Sequence, residues 1–128
     1  YRQFYGASSN LTLSQKFLKL RLQNEQSVIF IHVKDDVITG FVLLYLGFSS
    51  VACATYYILD DVYVSPPHRR HGSAKQLIDT AILFARHEKA IRITLETQKN
   101  NHSVDPQYLL LQKDVLSLLY FLSLRLHF

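Results

Sequence analysis

Apolar and polar positions alternate along the chain with two different periods. Two segments repeat their apolar residues at the three-to-four-residue spacing of a helix, whereas four others are runs of β-branched, aromatic and aliphatic residues typical of strands. In chain order, the pattern predicts a helix over 12–24, strands over 27–33, 38–48 and 52–64, a helix over 72–87 and a strand over 91–96.

Several local signals support these elements. The stretch Thr12-Leu13-Ser14-Gln15 has the form of a capping box, so we expect the first helix to begin there. The strand over 38–48 is almost continuously apolar, which favours burial on both faces. The strand over 52–64 ends at Pro66-Pro67, because proline cannot continue a hydrogen-bonded ladder.

The helix over 72–87 carries one apolar face and follows the third strand after a short loop. A strand, helix and strand in this order predict a right-handed crossover and a parallel pair of strands. The predicted fold is therefore an α/β (α+β) fold with a mixed sheet. The helix face expected to pack on it consists of Ala74, Leu77, Ile78, Ala81, Phe84 and Ala85.

The loop before this helix is basic and contains one glycine. Backbone N–H groups at a helix N-terminus point towards one spot at the positive end of the helix dipole, which favours a bound phosphate. The spacing Arg69-x-x-Gly72-x-Ala74 lies at this position. The formal charge of +4 also favours an anionic ligand such as CoA or nucleic acid, without choosing between them.

The composition indicates a globular chain of one domain with a hydrophobic core. With a single cysteine, Cys53, the chain has no internal disulfide; Cys53 lies in an apolar run and is predicted to be a buried, inert thiol. His32 is likewise predicted to be a packing residue. No uninterrupted apolar run reaches the roughly 18 residues of a membrane span, and we expect a cytoplasmic location and no membrane partner.

Three motifs together resemble the GNAT N-acetyltransferase superfamily over about residues 1–108. They are the acidic strand Leu59-Asp60-Asp61-Val62-Tyr63-Val64, the Arg69-x-x-Gly72-x-Ala74 loop, and Leu95-Glu96-Thr97 followed by Asn101 and Tyr108. The resemblance implies an antiparallel meander that leads into a strand, a pyrophosphate loop, a helix and a parallel strand splayed from its neighbour.

The resemblance also implies that residues 1–128 form a single GNAT-like domain, with the first strand missing and 104–128 atypical. Val104 stands where the family usually has Ala, Gln107 precedes the tyrosine, and no Gly-Phe pair follows. We expect the leucine-rich segment from Val104 to Phe128 to be poorly integrated in a monomer or ordered by self-association, which leaves a homodimer open.

The implied activity is transfer of an acetyl group from acetyl-CoA to a primary amine by direct attack, without a metal. Backbone groups of Val62, Tyr63 and Val64 would hold the pantetheine arm. The acceptor would be a small-molecule amine or a lysine-type side chain. The loop residues implied to bind the CoA pyrophosphate are Arg69, Arg70, His71, Gly72, Ser73, Ala74 and Lys75.

For the chemistry, the resemblance favours Asp60 as the general base and Asp61 as the group that recognises the amine. As neighbours on a strand, the two carboxylates are expected to point to opposite faces. Asn101 would orient a carbonyl of the cofactor or substrate, and Tyr108 would protonate the leaving thiolate.

Two other interpretations remain open at this point. One is a catalytically impaired relic or truncated product that still binds CoA. The other is a small basic nucleic-acid-binding domain, for which the basic stretch lacks interleaved aromatic residues and any recognised motif. The pair His68-x-x-His71 is a weak metal signal, because no Cys, Asp or Glu lies nearby in the sequence.

Overall fold

The computed structural model describes residues 6–97 and 122–127. The order and type of the six predicted elements are confirmed, and their ends agree within two residues. Within the described residues, no helix is long and apolar enough to cross a membrane. The elements are α1 (Leu11–Gln23), β1 (Ser27–Lys34), β2 (Val37–Ser49), β3 (Ala54–Val64), a 3-10 turn (Pro66–His68), α2 (Ser73–His87), β4 (Arg92–Thr97) and β5 (Leu122–His127).

The strands form one mixed sheet in the order β1-β2-β3-β4-β5. The first three strands are an antiparallel meander, and β4 then pairs parallel with β3 after the α2 crossover, as predicted. In the C-terminal segment, β5 pairs antiparallel with β4 from Arg92 opposite His127 to Thr97 opposite Leu122. Residues 104–121 lie outside the described residues, so the expectation for the segment as a whole remains a prediction.

Helix α2 packs its apolar face on one side of the sheet. Leu77, Ala81 and Ala85 are buried, with Ile78 and Phe84 partly buried beside them, which confirms most of the predicted face. Burial of a residue such as Leu77 stabilises the fold by about 1.5–3 kcal/mol. The predicted inclusion of Ala74 is wrong, because Ala74 lies in the first turn and is exposed. The strand residues of this core are Val42, Leu44, Tyr57, Leu59, Val64 and Ile93.

The centre of strand β2 is buried on both of its faces, as its apolar sequence predicted, whereas the ends of the predicted stretch are exposed, Ile38 by 63% and Phe48 by 74%. Val42 and Leu44 belong to the core against α2, whereas Leu43 between them is buried on the opposite face. On the face opposite α2, the buried Leu43 therefore gives polar groups on neighbouring strands an apolar neighbour.

Helix α1 lies at the edge of the sheet and begins earlier than expected. Asn10, and not Thr12, is the N-cap residue: its Oδ1 accepts a hydrogen bond from the Leu13 N–H at 2.9 Å. None of the residues of α1 is buried, and Phe17 keeps 48% of its surface exposed. The apolar residues of α1 contribute less to the core of the described residues than their spacing suggests.

The start of β3 also differs from the prediction. The strand begins at Ala54, and Cys53 lies in the preceding turn with a φ of +50°. Cys53 is exposed, so the prediction of a buried thiol in a strand is wrong. The expected structural role of His32 has a specific form: its Nδ1 lies 2.5 Å from the Oγ1 of Thr39, a residue that is 1% exposed.

Candidate functional site

The loop between β3 and α2 is held to the sheet at its first residue. The Ser65 N–H donates to the carbonyl of Thr39 at 2.8 Å, and the Ser65 hydroxyl lies 2.9 Å from the His68 Nδ1. Pro66 and Pro67 form a 3-10 turn at this point. The structure therefore gives His68 a role in the shape of the loop, and the described part of the chain contains no group of three or more metal-ligating side chains.

The loop ends at Gly72, which is the N-cap of α2 in a left-handed conformation with a φ of +82°. Among the described residues, a Cβ at this position would meet nothing within 4 Å, so the space beside Gly72 is open and only the backbone conformation requires glycine. The N–H of Gln76 makes the first bond within the helix, to the Gly72 carbonyl at 3.0 Å. The N–H groups of Ser73 and Ala74 precede it and face the open end, where they could bind a phosphate.

The cationic side chains of the loop divide into two groups. Arg69 folds back: its Nε donates to the Val64 carbonyl at 2.9 Å and its guanidinium lies 5.9 Å from the Tyr63 ring centroid. Lys75 forms an exposed ion pair with Asp79 at 2.5 Å. Arg69 therefore braces the end of β3, whereas the exposed Arg70 and His71 remain beside the open helix end.

Beside this loop, β3 and β4 separate. Their parallel pairing comprises three residue pairs and ends at Leu59 opposite Leu95, whereas β3 stays paired with β2 as far as Val64 opposite Gly40. Beyond Leu59, the β4 side of β3 therefore has no strand partner among the described residues, and we call the gap between the two strands the cleft. This divergence is the predicted splay.

The antiparallel ladder determines which peptide groups face the cleft. Because the Ser65 N–H bonds to the carbonyl of Thr39, Gly40 and Val64 are a non-hydrogen-bonded pair, and the N–H and C=O of Val64 point away from β2. The alternation of the ladder gives Val62 the same orientation. Both peptide units therefore face the cleft, although Arg69 already binds the Val64 carbonyl.

A β-bulge interrupts β3 at the point where the strands separate. Leu43 pairs with Asp61 and Leu44 pairs with Leu59, which leaves Asp60 as the extra residue. Such a bulge bends the strand and increases its twist. The bulge thus coincides with the last pairing between β3 and β4.

The bulge also changes the faces of the two carboxylates. The core-facing residues of β3 are Tyr57 and Leu59 before it, and Val62 and Val64 after it. The core-facing positions pass from Leu59 directly to Val62, so Asp60 and Asp61 both lie on the face opposite α2. The expectation that Asp60 and Asp61 point to opposite faces is wrong, because one extra residue resets the alternation.

Electrostatics link this carboxylate pair to two further residues. Burial raises the pKa of the Asp60 carboxyl above its ordinary value, although the residue as a whole is classed as exposed. The pKa of the Tyr45 phenol is also raised, first by burial and then by the carboxylates of Asp60 and Asp61, while the Arg21 guanidinium opposes them. A carboxylate with a raised pKa is a better proton acceptor near neutral pH.

Sequence reasoning missed Tyr45 and Arg21. Tyr45 is the one residue with a polar group in the stretch Phe41–Leu46 of β2, which was the signal that could have identified it. Arg21 had no such signal, because its position depends on how α1 packs. The predicted Asn101 and Tyr108 lie outside the described residues, so their roles remain predictions.

Comparisons with known proteins agree with this geometry. The profile of the acetyltransferase (GNAT) family matches residues 2–108. A relative described as the uncharacterized N-acetyltransferase YhfO of Bacillus subtilis strain 168 is 38% identical over 108 residues, which cover 84% of this chain and 72% of the relative. A probable acetyltransferase of Haemophilus influenzae is 29% identical over 105 residues, covering 81% of this chain and 72% of that protein.

Among solved structures, a crystal structure of a probable acetyltransferase superposes with a TM-score of 0.75 and 38% identity, covering 80% of this chain and 69% of that one. An aminoglycoside acetyltransferase from an uncultured soil metagenomic sample superposes with a TM-score of 0.71 at 15% identity, over 93% of this chain and 81% of that one, which shows the shared fold alone. The family match spans most of the chain, and the sheet, crossover and loop agree with it. The chain therefore belongs to the GNAT family of acyl-CoA-dependent N-acetyltransferases.

Proposed function

We propose that residues 1–128 act as one domain that transfers the acetyl group of acetyl-CoA to a primary amine. The observation that carries this proposal is the divergence of β3 from β4 directly beside the open N-terminus of α2. The gap between β3 and β4 suits an extended arm, and the N-terminus of α2 suits a pyrophosphate. Acetyl-CoA has both groups. Enzymes of this family generally use acetyl-CoA.

In this proposal the pyrophosphate lies in front of α2. Backbone N–H groups from Arg70 to Lys75 surround it, Arg70 adds positive charge, and the His71 ring offers a further hydrogen bond. The pantetheine arm lies in the cleft, where its amides bond the outward-facing peptide groups of Val62 and Val64. Arg69 and Tyr63 act indirectly, by bracing the end of β3.

The acceptor amine approaches from the face that carries the two aspartates. Its nitrogen attacks the acetyl carbonyl carbon, so a C–N bond forms, the C–S bond breaks, and CoA leaves as a thiolate. Asp60 takes the proton of the amine, directly or through water, and Asp61 holds the amine. Tyr108 would return a proton to the thiolate, and Asn101 would orient a carbonyl.

The proposed acceptor is a small-molecule amine or a lysine-type side chain. The proposed donor implies a cytoplasmic location, where acetyl-CoA is available.

Thermal unfolding with and without acetyl-CoA tests the donor site. A ligand at 100 times its Kd adds about 2.7 kcal/mol to the free energy of unfolding. Arg70→Gln should weaken this stabilisation, whereas Lys16→Gln on the exposed surface of α1 removes the same charge and should leave it unchanged. The absence of any shift at millimolar acetyl-CoA in folded protein would refute the proposal.

Release of the CoA thiol in the presence of a panel of amines tests turnover. Acetyl-CoA binding without thiol release for any amine would favour the impaired CoA-binding relic. Stabilisation by RNA and not by acetyl-CoA would favour the nucleic-acid-binding alternative.

A further inference from the structure

A second β-bulge lies in the hairpin of β1 and β2. His32 pairs with Gly40 and Val33 pairs with Ile38, which leaves Thr39 as the extra residue of β2. Thr39 is 1% exposed, so both its peptide group and its hydroxyl are buried at a point where the regular ladder is interrupted. Other hydrogen bonds must therefore hold the bulge in shape.

The Thr39 side chain is fixed by two hydrogen bonds to His32. Its hydroxyl donates to the His32 carbonyl at 3.2 Å, and its Oγ1 lies 2.5 Å from the His32 Nδ1. A hydroxyl has one proton, so the ring nitrogen is the donor of the shorter bond. The two bonds satisfy a buried hydroxyl that would otherwise cost free energy, and they fix the conformation of the bulge.

The backbone of the bulge holds the loop that precedes α2. The Thr39 carbonyl accepts a hydrogen bond from the Ser65 N–H at 2.8 Å, just beyond the last residue pair between β2 and β3. The Ser65 hydroxyl lies 2.9 Å from the His68 Nδ1, and the Ser65 carbonyl accepts from the His68 N–H at 2.9 Å. Ser65 thus ties the 3-10 turn of the loop to Thr39, and through Thr39 to His32 on β1.

Resting on the acetyltransferase function proposed above, we infer that Thr39, held by His32, is a positioning residue for the acetyl donor. Thr39 is buried, so it acts through Ser65 and not on the cofactor itself. Its bond to Ser65 sets the point where the loop leaves the sheet and turns the Val64 peptide group towards the cleft. Apparent affinity falls with the fraction of protein in the binding-competent conformation, so a loosened bulge weakens acetyl-CoA binding.

Two substitutions at each residue separate the hydrogen bonds from the side-chain volume. Thr39→Val keeps the shape of the side chain and removes the hydroxyl, whereas Thr39→Ser keeps the hydroxyl. His32→Leu removes the ring donor, whereas His32→Asn places an N–H donor near the position of the Nδ1. Ile93→Val is the control, because Ile93 is a buried residue of β4, on the other side of β3 from the bulge.

Isothermal titration with acetyl-CoA and thiol release with an accepted amine are the two readouts. Thr39→Val should weaken acetyl-CoA binding by about 5-fold to 30-fold, the effect of losing one or two hydrogen bonds, while the KM of the amine stays within about twofold. His32→Leu should cause a smaller loss, because Thr39 keeps its bond to the His32 carbonyl. Thr39→Ser and His32→Asn should restore affinity to within about threefold of the unaltered protein.

The double variant and the control show whether the two residues act together. If His32 acts through the Thr39 hydroxyl, adding His32→Leu to Thr39→Val should weaken acetyl-CoA binding by less than about twofold more. Ile93→Val should lower Tm without changing acetyl-CoA affinity. His32→Leu also keeps the test decisive if Thr39→Val does not fold, because His32 is only half-buried.

Three results would overturn the inference: unchanged acetyl-CoA affinity in the folded variants that lack the hydrogen bonds, additive losses in the double variant, or the same loss of affinity in Ile93→Val. Each can occur while acetyl-CoA still binds the unaltered protein, which leaves the proposed donor site standing. Failure of the proposed function itself differs, because the unaltered protein would then neither bind acetyl-CoA nor release thiol with any amine.

Discussion

Gly40 lies opposite Val64 at the end of β3, and Gly40→Ala tests the packing there. A Cβ at this position would lie 2.6 Å from the Tyr63 carbonyl oxygen, 3.3 Å from the Val64 Cγ2 and 3.4 Å from the Leu77 Cδ1. The first contact is with backbone, which cannot rotate away. We therefore expect β3 to shift in the variant, and its residues lead directly into the loop before α2.

The size of the effect follows from the cost of overpacking a core, which is about 1–3 kcal/mol. For a domain of this size, 1 kcal/mol corresponds to about 4 °C in Tm. Gly40→Ala should therefore lower Tm by about 4–12 °C. Because the shift displaces Val64 and the start of the loop, affinity for acetyl-CoA should fall as well.

Gly47→Ala is the matched control in the same strand. Its Cβ would lie 2.5 Å from the Tyr56 Cζ, at the far end of a side chain that can swing aside. Swinging the ring disturbs its contact with Arg92, whose guanidinium lies 4.1 Å from the ring centroid, at a cost of about 0.5–1 kcal/mol. Urea unfolding followed by circular dichroism measures both variants. The reasoning fails if Gly47→Ala is the more destabilising, or if Gly40→Ala lies within about 0.5 kcal/mol of the unaltered protein.

Three further predictions concern the site. Gly72→Val should cost about 1–2 kcal/mol of stability from its positive φ and should weaken acetyl-CoA binding beyond that, and unchanged affinity by isothermal titration would exclude the loop as the donor site. Burial raises the pKa of the Asp60 carboxyl in the folded protein, so this group stabilises the fold below its unfolded pKa, and the stabilisation is lost as the pH rises through the folded pKa. Asp60→Asn should therefore raise Tm at neutral pH and lower turnover. An unchanged pH–rate profile in this variant would assign the general base to another group. Tyr45→Phe should raise the acceptor KM while leaving acetyl-CoA affinity unchanged, and weaker acetyl-CoA binding by titration would contradict this placement.

Local pattern was sufficient for the elements from α1 to β4 and for the general position of the loop. The apolar spacing of α2 predicted the buried Leu77, Ala81 and Ala85, because a helix presents every third or fourth residue to one side whatever packs there. Pro66 and Pro67 ended β3 where the chain leaves the sheet, because their chemistry is local. The crossover and the parallel pair followed from the order of these elements.

Tertiary structure decided how the site is arranged. The alternation rule placed Asp60 and Asp61 on opposite faces, but pairing with β2 inserts Asp60 as an extra residue and brings both to one face. Arg69 was expected to bind a phosphate, yet a carbonyl and an aromatic ring at the end of β3 hold its guanidinium. The end of α1 is tied to β2 only because Gln26 bonds both the Arg21 carbonyl and the Leu46 N–H. Each of these outcomes depends on a partner that is distant in the chain, whereas a periodic pattern records only which neighbours in sequence share a face.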